Sequence, residues 1–469
     1  MSKTYIKGAV LLGLAVSIGL SSCQVVNKYK SPEVDTENLY RDHDSTDTTT
    51  IASIPWREYF KDPILQALID EGIANNYDLK IAYTRIEQAE ASLGMARAAY
   101  FPEVALSGSV THNRYSKGSE GNKALKYHST DYSLGIAASW ELDVWGKLNR
   151  QSRAKYADFL SSVEYRNLIQ TSLISNIATS YYTLLSLDEQ LKVSLESINL
   201  LEETITTMEA LKEAGMLNGA SVEQTKAALY NTRISIPDLE MNIRKMENSL
   251  SLMLGRKAGP IVRGTIASQS IPTEMKIGMP MQMLANRPDV KQAELSFRSA
   301  FELTNAAQAS FYPSIRLNTG SFIGYGTTNT LSGFFKPENL AASIIGGLTQ
   351  PIFARKQLIT QLKIAKSTQK AALLGFEQTV LSASNEVSDI LYTYEKALSK
   401  DKLRQQQIES LTKSVRFTQE LLKAGEANYL EVIQAETDLL QAQLGQVNDR
   451  LQQLQATVNL YRALGGGIE

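Results

Sequence analysis

Alternating apolar and polar residues occur in two parts of the chain and predict β-strands. Large apolar residues alternate with Ala, Ser and Gly in residues 104–110, and the same alternation recurs in residues 132–142. A second pair of strand-like stretches follows at 315–325 and 340–350. A period of two over such lengths is typical of strands that have one apolar face and one polar or small face. The chain therefore supplies four strands.

Four much longer stretches predict α-helices. They cover residues 146–212, 221–253, 356–423 and 430–463. In the second and fourth of them the apolar residues are spaced by three and four positions, which is typical of coiled-coil seams. Pro237 lies inside the second stretch and predicts a kink or a locally opened hydrogen bond there. Helices of about 67 residues rise about 100 Å and cannot fold back into a compact globule.

The sequence also repeats itself. "ARAAYFPEVALSG" at 96–108 is followed by the similar "AQASFYPSIRLNTG" at 307–320, and Gly215 aligns with Gly425. The offset stays near 208 to 211 residues along the chain. A constant offset of that size indicates duplication of a unit of roughly 200 residues, so the two halves are expected to share one fold.

The N-terminus has the pattern of an export signal. Lys3 and Lys7 precede an apolar stretch that is too short to span a bilayer. It ends in "LSSC", residues 20–23, which is similar to the bacterial lipobox. Cys23 is the only cysteine, so no disulfide forms within the chain, and we expect it to be lipidated.

These features suggest a division of the chain. Residues 1–22 are expected to be a lipoprotein signal peptide and residues 23–53, which are polar, a lipidated tether. The first repeat would then occupy residues 54–260 and the second residues 280–469, with residues 261–279 connecting them.

Charge and composition argue against several classes of function. Forty-eight basic and 49 acidic residues give a net charge of -1, so we expect no nucleic-acid partner. Only His43, His112 and His128 could serve as histidine catalysts, and no phosphate loop or metal-binding helix motif is present. The sequence therefore predicts a protein that is not an enzyme and has no cofactor.

A methionine cluster lies in and beside the connection between the halves. It fits either a soft-metal site, as in copper exporters, or the filling of packing gaps, which is the commoner role of methionine. We expect packing rather than a metal site. The cluster consists of Met275, Met279, Met281 and Met283.

The strand count has a consequence for assembly. Four strands cannot close a barrel in lipid, where an open edge leaves backbone groups unpaired. Two chains would give eight strands, whose interior is filled by side chains, whereas three chains would give twelve and a channel. If these strands meet lipid, the sequence thus predicts a homotrimer, the smallest ring that makes a channel.

Several stretches resemble the TolC-like outer membrane efflux proteins, and within them the lipoprotein branch of RND efflux systems. They are "WREYFKDPILQALIDEGIANNYDLKIAYTRIEQAEA", "RPDVKQAELSFRSAFELTNAAQASFYPSI", "KAGEANYLEVIQAE" and "YRALGGG". The resemblance covers nearly all of the mature chain. It implies an α+β membrane protein, in which a trimeric 12-stranded β-barrel is continued by a long periplasmic α-helical barrel.

The resemblance also implies a function and partners. The protein would be the outer membrane exit duct of a tripartite efflux system, passively conducting drugs or other small molecules. A periplasmic membrane-fusion adaptor and an inner-membrane RND transporter would be its partners. The alternatives are a duct for type I protein secretion, a metal exporter, or a lipid-anchored periplasmic coiled-coil scaffold without a pore. The predicted strands argue against the scaffold, because a coiled-coil scaffold without a pore does not require the strands of a β-barrel.

Site residues follow in part from the turns between long helices. Gly215 and Gly425 suit the left-handed backbone position that commonly ends a helix, so they are expected at the periplasmic tips. Lys423 and Glu426 are candidates for adaptor contact. The family's acidic gate positions fall on Glu431, which matches in charge, and Gln434, which does not.

A ring of three Glu431 carboxylates would favour cations and resist closure through like-charge repulsion. The alternative for Glu431 is an ordinary solvated helix face. Elsewhere, a proline after two aromatic residues would mark each crossing from a periplasmic helix into a barrel strand, since proline ends helices and aromatic side chains suit the membrane interface. These junction residues are Tyr100, Phe101, Pro102, Phe311, Tyr312 and Pro313.

Overall fold

The two sequence repeats do not form separate bodies, because each contributes to both compact units of the structure. In the computed structural model the described residues of 27–33, 86–161 and 293–376 belong to the first unit, and the other described residues belong to the second. The residues that the structure describes are 27–35, 39, 50–115, 128–271, 285–318 and 323–468. Cys23, His43 and the methionine cluster lie outside these ranges.

Eight α-helices have their bounds in the described residues, and the longest match the sequence prediction closely. Two of them contain 67 residues each. Helix α5 runs through Pro237 without interruption. Among the described helices, none combines the length and the apolar character that a bilayer span requires. The helices are α1 Trp56–Tyr59, α2 Pro63–Asn75, α3 Tyr77–Ala98, α4 Lys147–Glu213, α5 Gly219–Met253, α6 Pro288–Ala309, α7 Gln357–Lys423 and α8 Tyr429–Ala463.

One antiparallel sheet forms the first unit together with adjoining helix ends. Its strands are β1 Glu103–Arg114, β2 His128–Leu142, β3 Ser314–Asn318, β4 Ile323–Thr328, β5 Leu340–Ala342 and β6 Ile345–Thr349. Strand β2 pairs with β1 on one side and with both β3 and β4 on the other. Strand β6 then pairs with β3, and β5 with β4. The sheet is therefore four strands wide, as the alternation predicts.

The two faces of this sheet differ in chemistry. Val104, Leu106 and Val110 project from one face and are 64%, 76% and 69% exposed. In the register they lie opposite other apolar residues, for example Leu106 opposite Ile136. The other face carries small polar side chains, and Ser109 and Ser133 share a hydrogen bond of 2.7 Å across it. The strand period thus separates a surface suited to lipid from one suited to water.

Within the second unit, both repeats end their second long helix in the same way. Gly255 and Gly465 have positive φ angles, 67° and 93°, directly after helices α5 and α8. An added Cβ would lie 2.6 Å from the Asn75 carbonyl oxygen at the first glycine and 2.7 Å from the Asn286 carbonyl carbon at the second. Only glycine meets both demands, left-handed backbone and close approach of a neighbouring main chain. The matching contacts support the duplication.

Replacing one of these glycines is expected to destabilise the protein. Gly465→Ala should lower the free energy of unfolding by about 1–3 kcal/mol, because the new Cβ meets Asn286 and the backbone is left-handed. The thermal unfolding midpoint of the detergent-solubilised protein measures the effect. The control is Gly94→Ala in helix α3, where nothing lies within 4 Å of the added Cβ; it should stabilise by about 0.5–1 kcal/mol. Equal midpoints for the two variants would contradict this account.

Candidate functional site

The two turns that join a long helix to its returning partner have the same backbone geometry. Gly215 and Gly425 both have a φ of 75°. After each glycine the chain closes a 6→1 hydrogen bond, from Met216 N to Leu211 O and from Glu426 N to Leu421 O, both 2.9 Å. This pattern satisfies the last carbonyls of the helix and reverses the chain. The predicted role of both glycines as helix-ending residues agrees with this geometry.

Two asparagines start the returning helices. Asn218 Oδ1 accepts a hydrogen bond from Ser221 N at 3.1 Å, and Asn428 Oδ1 accepts one from Leu430 N at 3.1 Å. Each caps backbone donors that the first turn of a helix leaves free. The sequence reasoning missed both residues. The signal was present, since each asparagine follows the turn glycine by three positions and precedes an apolar periodic stretch.

A small apolar core joins the two helix pairs behind these turns. It consists of one buried residue from each of the four long helices: Met208, Val222, Leu422 and Val432. Nearby, Tyr429 Oη donates a hydrogen bond of 2.8 Å to Gln224 Oε1. The α4–α5 turn and the α7–α8 turn therefore pack against each other within the second unit.

Both predicted gate residues lie on one exposed face of helix α8. Glu431 and Gln434 are exposed and three positions apart. Gln434 Nε2 donates to Asp438 Oδ1 at 2.8 Å, which adds a third polar residue to the same face. Sequence reasoning missed Asp438, although its spacing of four from Gln434 places it on that face. This face can present carboxylates to a shared axis or to solvent.

The predicted adaptor contacts also lie at the surface. Lys423 ends helix α7, Glu426 follows the turn glycine, and both are exposed. Met216 and Leu430 expose apolar surface at the same turns, 56% and 57%. The tip therefore offers both charged and apolar groups at its surface.

Helix α8 also carries a buried carboxyl group close to the tip. Glu436 is 2% exposed, and its Oε1 accepts hydrogen bonds from Thr204 Oγ1 at 2.6 Å and from Gln419 Nε2 at 2.8 Å. Burial raises the pKa of Glu436 and outweighs the two hydrogen bonds, which lower it. Sequence reasoning missed this residue, because an acidic residue in a helix is usually solvated.

A second buried carboxylate on the same helix has a different environment. Asp449 is also 2% exposed, but Lys400 Nζ lies 2.7 Å and Arg404 Nε 3.0 Å from its oxygens. Burial alone would raise the pKa of Asp449, yet the hydrogen bonds and charges of these two cations outweigh it and lower the pKa. Asp449 is thus a stable ion-pair anchor between α7 and α8.

Two tryptophans fix the predicted helix-to-strand junctions in the first unit. Trp140 Nε1 donates to Tyr100 O at 2.8 Å, and Trp145 Nε1 donates to Pro313 O at 2.7 Å. Trp145 also stacks on Tyr312, with ring centroids 5.1 Å apart. The structure brings each aromatic–aromatic–proline segment to a strand start, where Phe101 is 74% exposed and Phe311 is partly exposed. The two tryptophans were not among the predicted site residues.

The described residues contain no cluster of three or more His, Cys, Asp or Glu that could hold a metal ion. His112 and His128 stack at 5.6 Å on the β1–β2 hairpin, and His112 Nδ1 lies 2.9 Å from Thr130 Oγ1.

Known proteins that resemble this chain are outer membrane or efflux proteins. The outer membrane efflux protein family matches residues 68–256 and 279–466. The probable outer membrane lipoprotein SilC of Salmonella typhimurium is 29% identical over 413 residues, covering 88% of each chain. The cation efflux system protein CusC of Escherichia coli K12 is 26% identical over 461 residues, covering 97% of this chain and 99% of CusC.

Solved structures share the fold. The outer-membrane channel OprN superposes with a TM-score of 0.87 at 24% identity, covering 95% of this chain and all of OprN. A CusC structure gives a TM-score of 0.84 at 25% identity, covering 95% of this chain and all of that one. These likenesses confirm the predicted fold class, in which a β-barrel is combined with an α-helical barrel.

Loss of an asparagine cap is expected to loosen the tip. Asn428→Ala removes the acceptor for Leu430 N and should cost about 1 kcal/mol. Hydrogen exchange of the first-turn amides of α8 measures this, with several-fold faster exchange expected than in the wild type. Asn428→Ser is the control, since serine caps helices about as well. Unchanged exchange in Asn428→Ala would show that the cap contributes nothing to tip stability.

Proposed function

The chain belongs to the outer membrane efflux protein family, and we propose that three copies of it form the exit duct of a tripartite efflux system. It is an outer membrane efflux channel, as the sequence predicted, and its family consists of channel proteins rather than enzymes. The homotrimer, the periplasmic membrane-fusion adaptor and the inner-membrane RND transporter are the proposed parts of this assembly.

One observation carries the trimer. Strand β1 pairs only with β2, and β5 and β6 pair only with β4 and β3, so the described sheet has two free edges. Its apolar face is suited to lipid, where unpaired backbone groups cost several kcal/mol each. Pairing of β1 with the far edge of a neighbouring copy removes both edges, and three copies give twelve strands. A scaffold without a pore would not need such a sheet.

At the tip, we place the gate on the exposed face of α8. A trimer brings three Glu431 carboxylates toward one axis, with Gln434 and Asp438 one and two turns further along. Like charges at a constriction repel each other and attract cations. Lys423 and Glu426 on the neighbouring turn are the proposed adaptor contacts, since both are exposed.

The proposed cargo is drugs or other small molecules, selected by the pump rather than by the duct. A second candidate is cation export. It is favoured by the name of CusC, a cation efflux system protein, and by the exposed carboxylates of the tip. A type I secretion duct has no specific observation in its favour.

We further propose that Cys23 carries a lipid after removal of residues 1–22. Residues that follow it are held on helix α6: Ser31 Oγ donates to Glu294 Oε1 at 2.6 Å, and Asn305 Nδ2 donates to Asn27 O at 3.4 Å. From position 294 to 305 the helix advances about 16 Å toward its C-terminal end, where the strand junction begins. Cys23 precedes Asn27 by four residues in the sequence.

Neutralising the proposed gate should change ion selectivity. In planar bilayers the wild-type protein should form a cation-selective pore, and Glu431→Gln should reduce the cation preference several-fold by removing three charges from the constriction. Reversal potentials in a salt gradient give the selectivity. Glu426→Gln is the matched control, an exposed tip carboxylate outside the proposed ring. A pore unaffected by Glu431→Gln keeps the duct and rejects the gate; a folded oligomer without any pore rejects the duct.

Lipidation can be tested by mass spectrometry of the mature N-terminus. Wild-type protein from the outer membrane should begin at Cys23 and carry acyl chains, whereas Cys23→Ser should lack them. The variant should still assemble, because the strand edges drive closure of the barrel. Unmodified Cys23 in native membranes would refute the anchor without touching the channel.

A further inference from the structure

Glu436 is a buried ionisable group for which the proposed gate and adaptor surface have no use. It connects three helices, since its Oε1 accepts hydrogen bonds from Thr204 on α4 and from Gln419 on α7. Its other oxygen, Oε2, is buried without a hydrogen-bond partner in the described part of the chain. A neutral carboxylic acid tolerates such surroundings better than a carboxylate, whose charge falls on both oxygens.

Comparison with Asp449 shows that Glu436 lacks a paired cation. Both carboxyl groups lie on α8 and are equally buried, but Asp449 faces Lys400 and Arg404 whereas Glu436 faces a hydroxyl and an amide. A buried carboxylate without a paired cation is strongly unfavourable. Ionisation therefore stabilises the packed position of Asp449, whereas at Glu436 it leaves a buried charge that only contact with water can solvate.

The charged groups near Glu436 do not compensate it. Glu203 on α4 and Lys423 on α7 line a cavity of about 100 Å³ beside Thr204 and Gln419, and neither forms an ion pair with Glu436. On α5, Lys226 is paired with Glu209 and Glu223. On α8 itself, Glu431 is exposed and Asp438 accepts the hydrogen bond from Gln434. No described group from any of the four helices neutralises the Glu436 carboxylate.

We infer that Glu436 is a proton-sensitive latch, which holds α8 against α4 and α7 when protonated and releases the tip toward its open state when ionised. The inference rests on the proposed duct function, since it assigns Glu436 as a positioning residue for that gate. The Thr204–Glu436 bond links the two helix pairs eleven residues from each turn glycine. When the ionised carboxyl group moves out of the packed interior into water, this bond breaks, and α8 with its Glu431 face is freed from α4.

The direction of the pH effect follows from burial. Because burial raises the pKa of Glu436, the packed tip binds a proton more readily than an open tip in which the carboxyl meets water. The packed tip is therefore favoured fully at acidic pH and loses stability as pH rises above the ordinary glutamate range. Acidic medium should close the tip, and neutral medium should loosen it.

The test is single-channel recording with the pH varied on the side that the tips face, at about pH 5 and about pH 7.5. Wild-type open probability should rise several-fold at the higher pH. Glu436→Gln keeps a hydrogen-bond acceptor but cannot ionise, so its open probability should stay at the low, acidic value. Asp449→Asn is the matched control, because it removes the other buried carboxylate of α8 and should preserve the wild-type ratio.

Two outcomes overturn the latch. If Glu436→Gln keeps the full pH response, the titrating group is a residue other than Glu436. If Glu431→Gln abolishes the pH response instead, the titrating group is Glu431 in the exposed ring. If Asp449→Asn fails to fold, Thr204→Val is tested instead. Unlike the control, this variant should change the open probability, because it removes a hydrogen bond to Glu436. Loss of the hydroxyl donor should raise open probability at acidic pH.

A second measurement does not need conduction. Hydrogen exchange of amides 415–440 is compared between wild type and Glu436→Gln at the same pH, so that intrinsic exchange chemistry cancels. The wild type should exchange several-fold faster than the variant at about pH 7.5 and equally at about pH 5. This ratio in a protein that forms no pore would retain the latch and reject the duct, whereas equal exchange at both pH values would reject the latch.

Discussion

The pairing of every backbone N–H and C=O in lipid is the constraint on which this structure depends. The first unit presents an apolar sheet face, with Val104, Leu106 and Val110 exposed, and leaves β1 and β5–β6 as free edges. In water a free edge is a manageable liability, but in hydrocarbon it is prohibitive. Pairing with further copies would remove both edges, and the total number of strands would then set the diameter of the barrel.

The second unit solves a different problem, how to reverse very long helices. Both repeats reverse the chain with the same turn. A glycine with left-handed φ, at 215 and 425, is followed by an asparagine that caps the next helix, at 218 and 428. The two turns then pack through a shared apolar core of Met208, Val222, Leu422 and Val432. Their surfaces have diverged, because the second turn carries Lys423, Glu426 and Glu431 where the first has a different set of residues. The two turns therefore share one backbone geometry but present different side chains at the surface.

Buried polar groups divide the helical unit into fixed and adjustable contacts. The paired carboxylate of Asp449 and the Arg263 guanidinium, which contacts both Asp188 and Glu247, are charge-compensated and hold their helices firmly. Glu436 has only neutral partners. Compensated pairs are costly to break, while an uncompensated group is sensitive to its protonation state. Glu436, the buried group without a compensating charge, lies near the tip, eleven residues along α8 from Gly425.

The sequence by itself determined the repeats, the four strands, the two 67-residue helices, the turn glycines and the helix-to-strand junctions. Each of these depends on local periodicity, or on glycine or proline at a position with a special backbone conformation. Such features can be recognised from the sequence alone. The positions of Glu431 and Gln434 on an exposed face followed from the spacing and the resemblance. Tertiary structure alone decided that Trp140 and Trp145 reach the junction carbonyls, that Asp449 is paired and that Glu436 is not. Those contacts join residues up to 232 positions apart, and helical periodicity does not encode which side chain lies across from another.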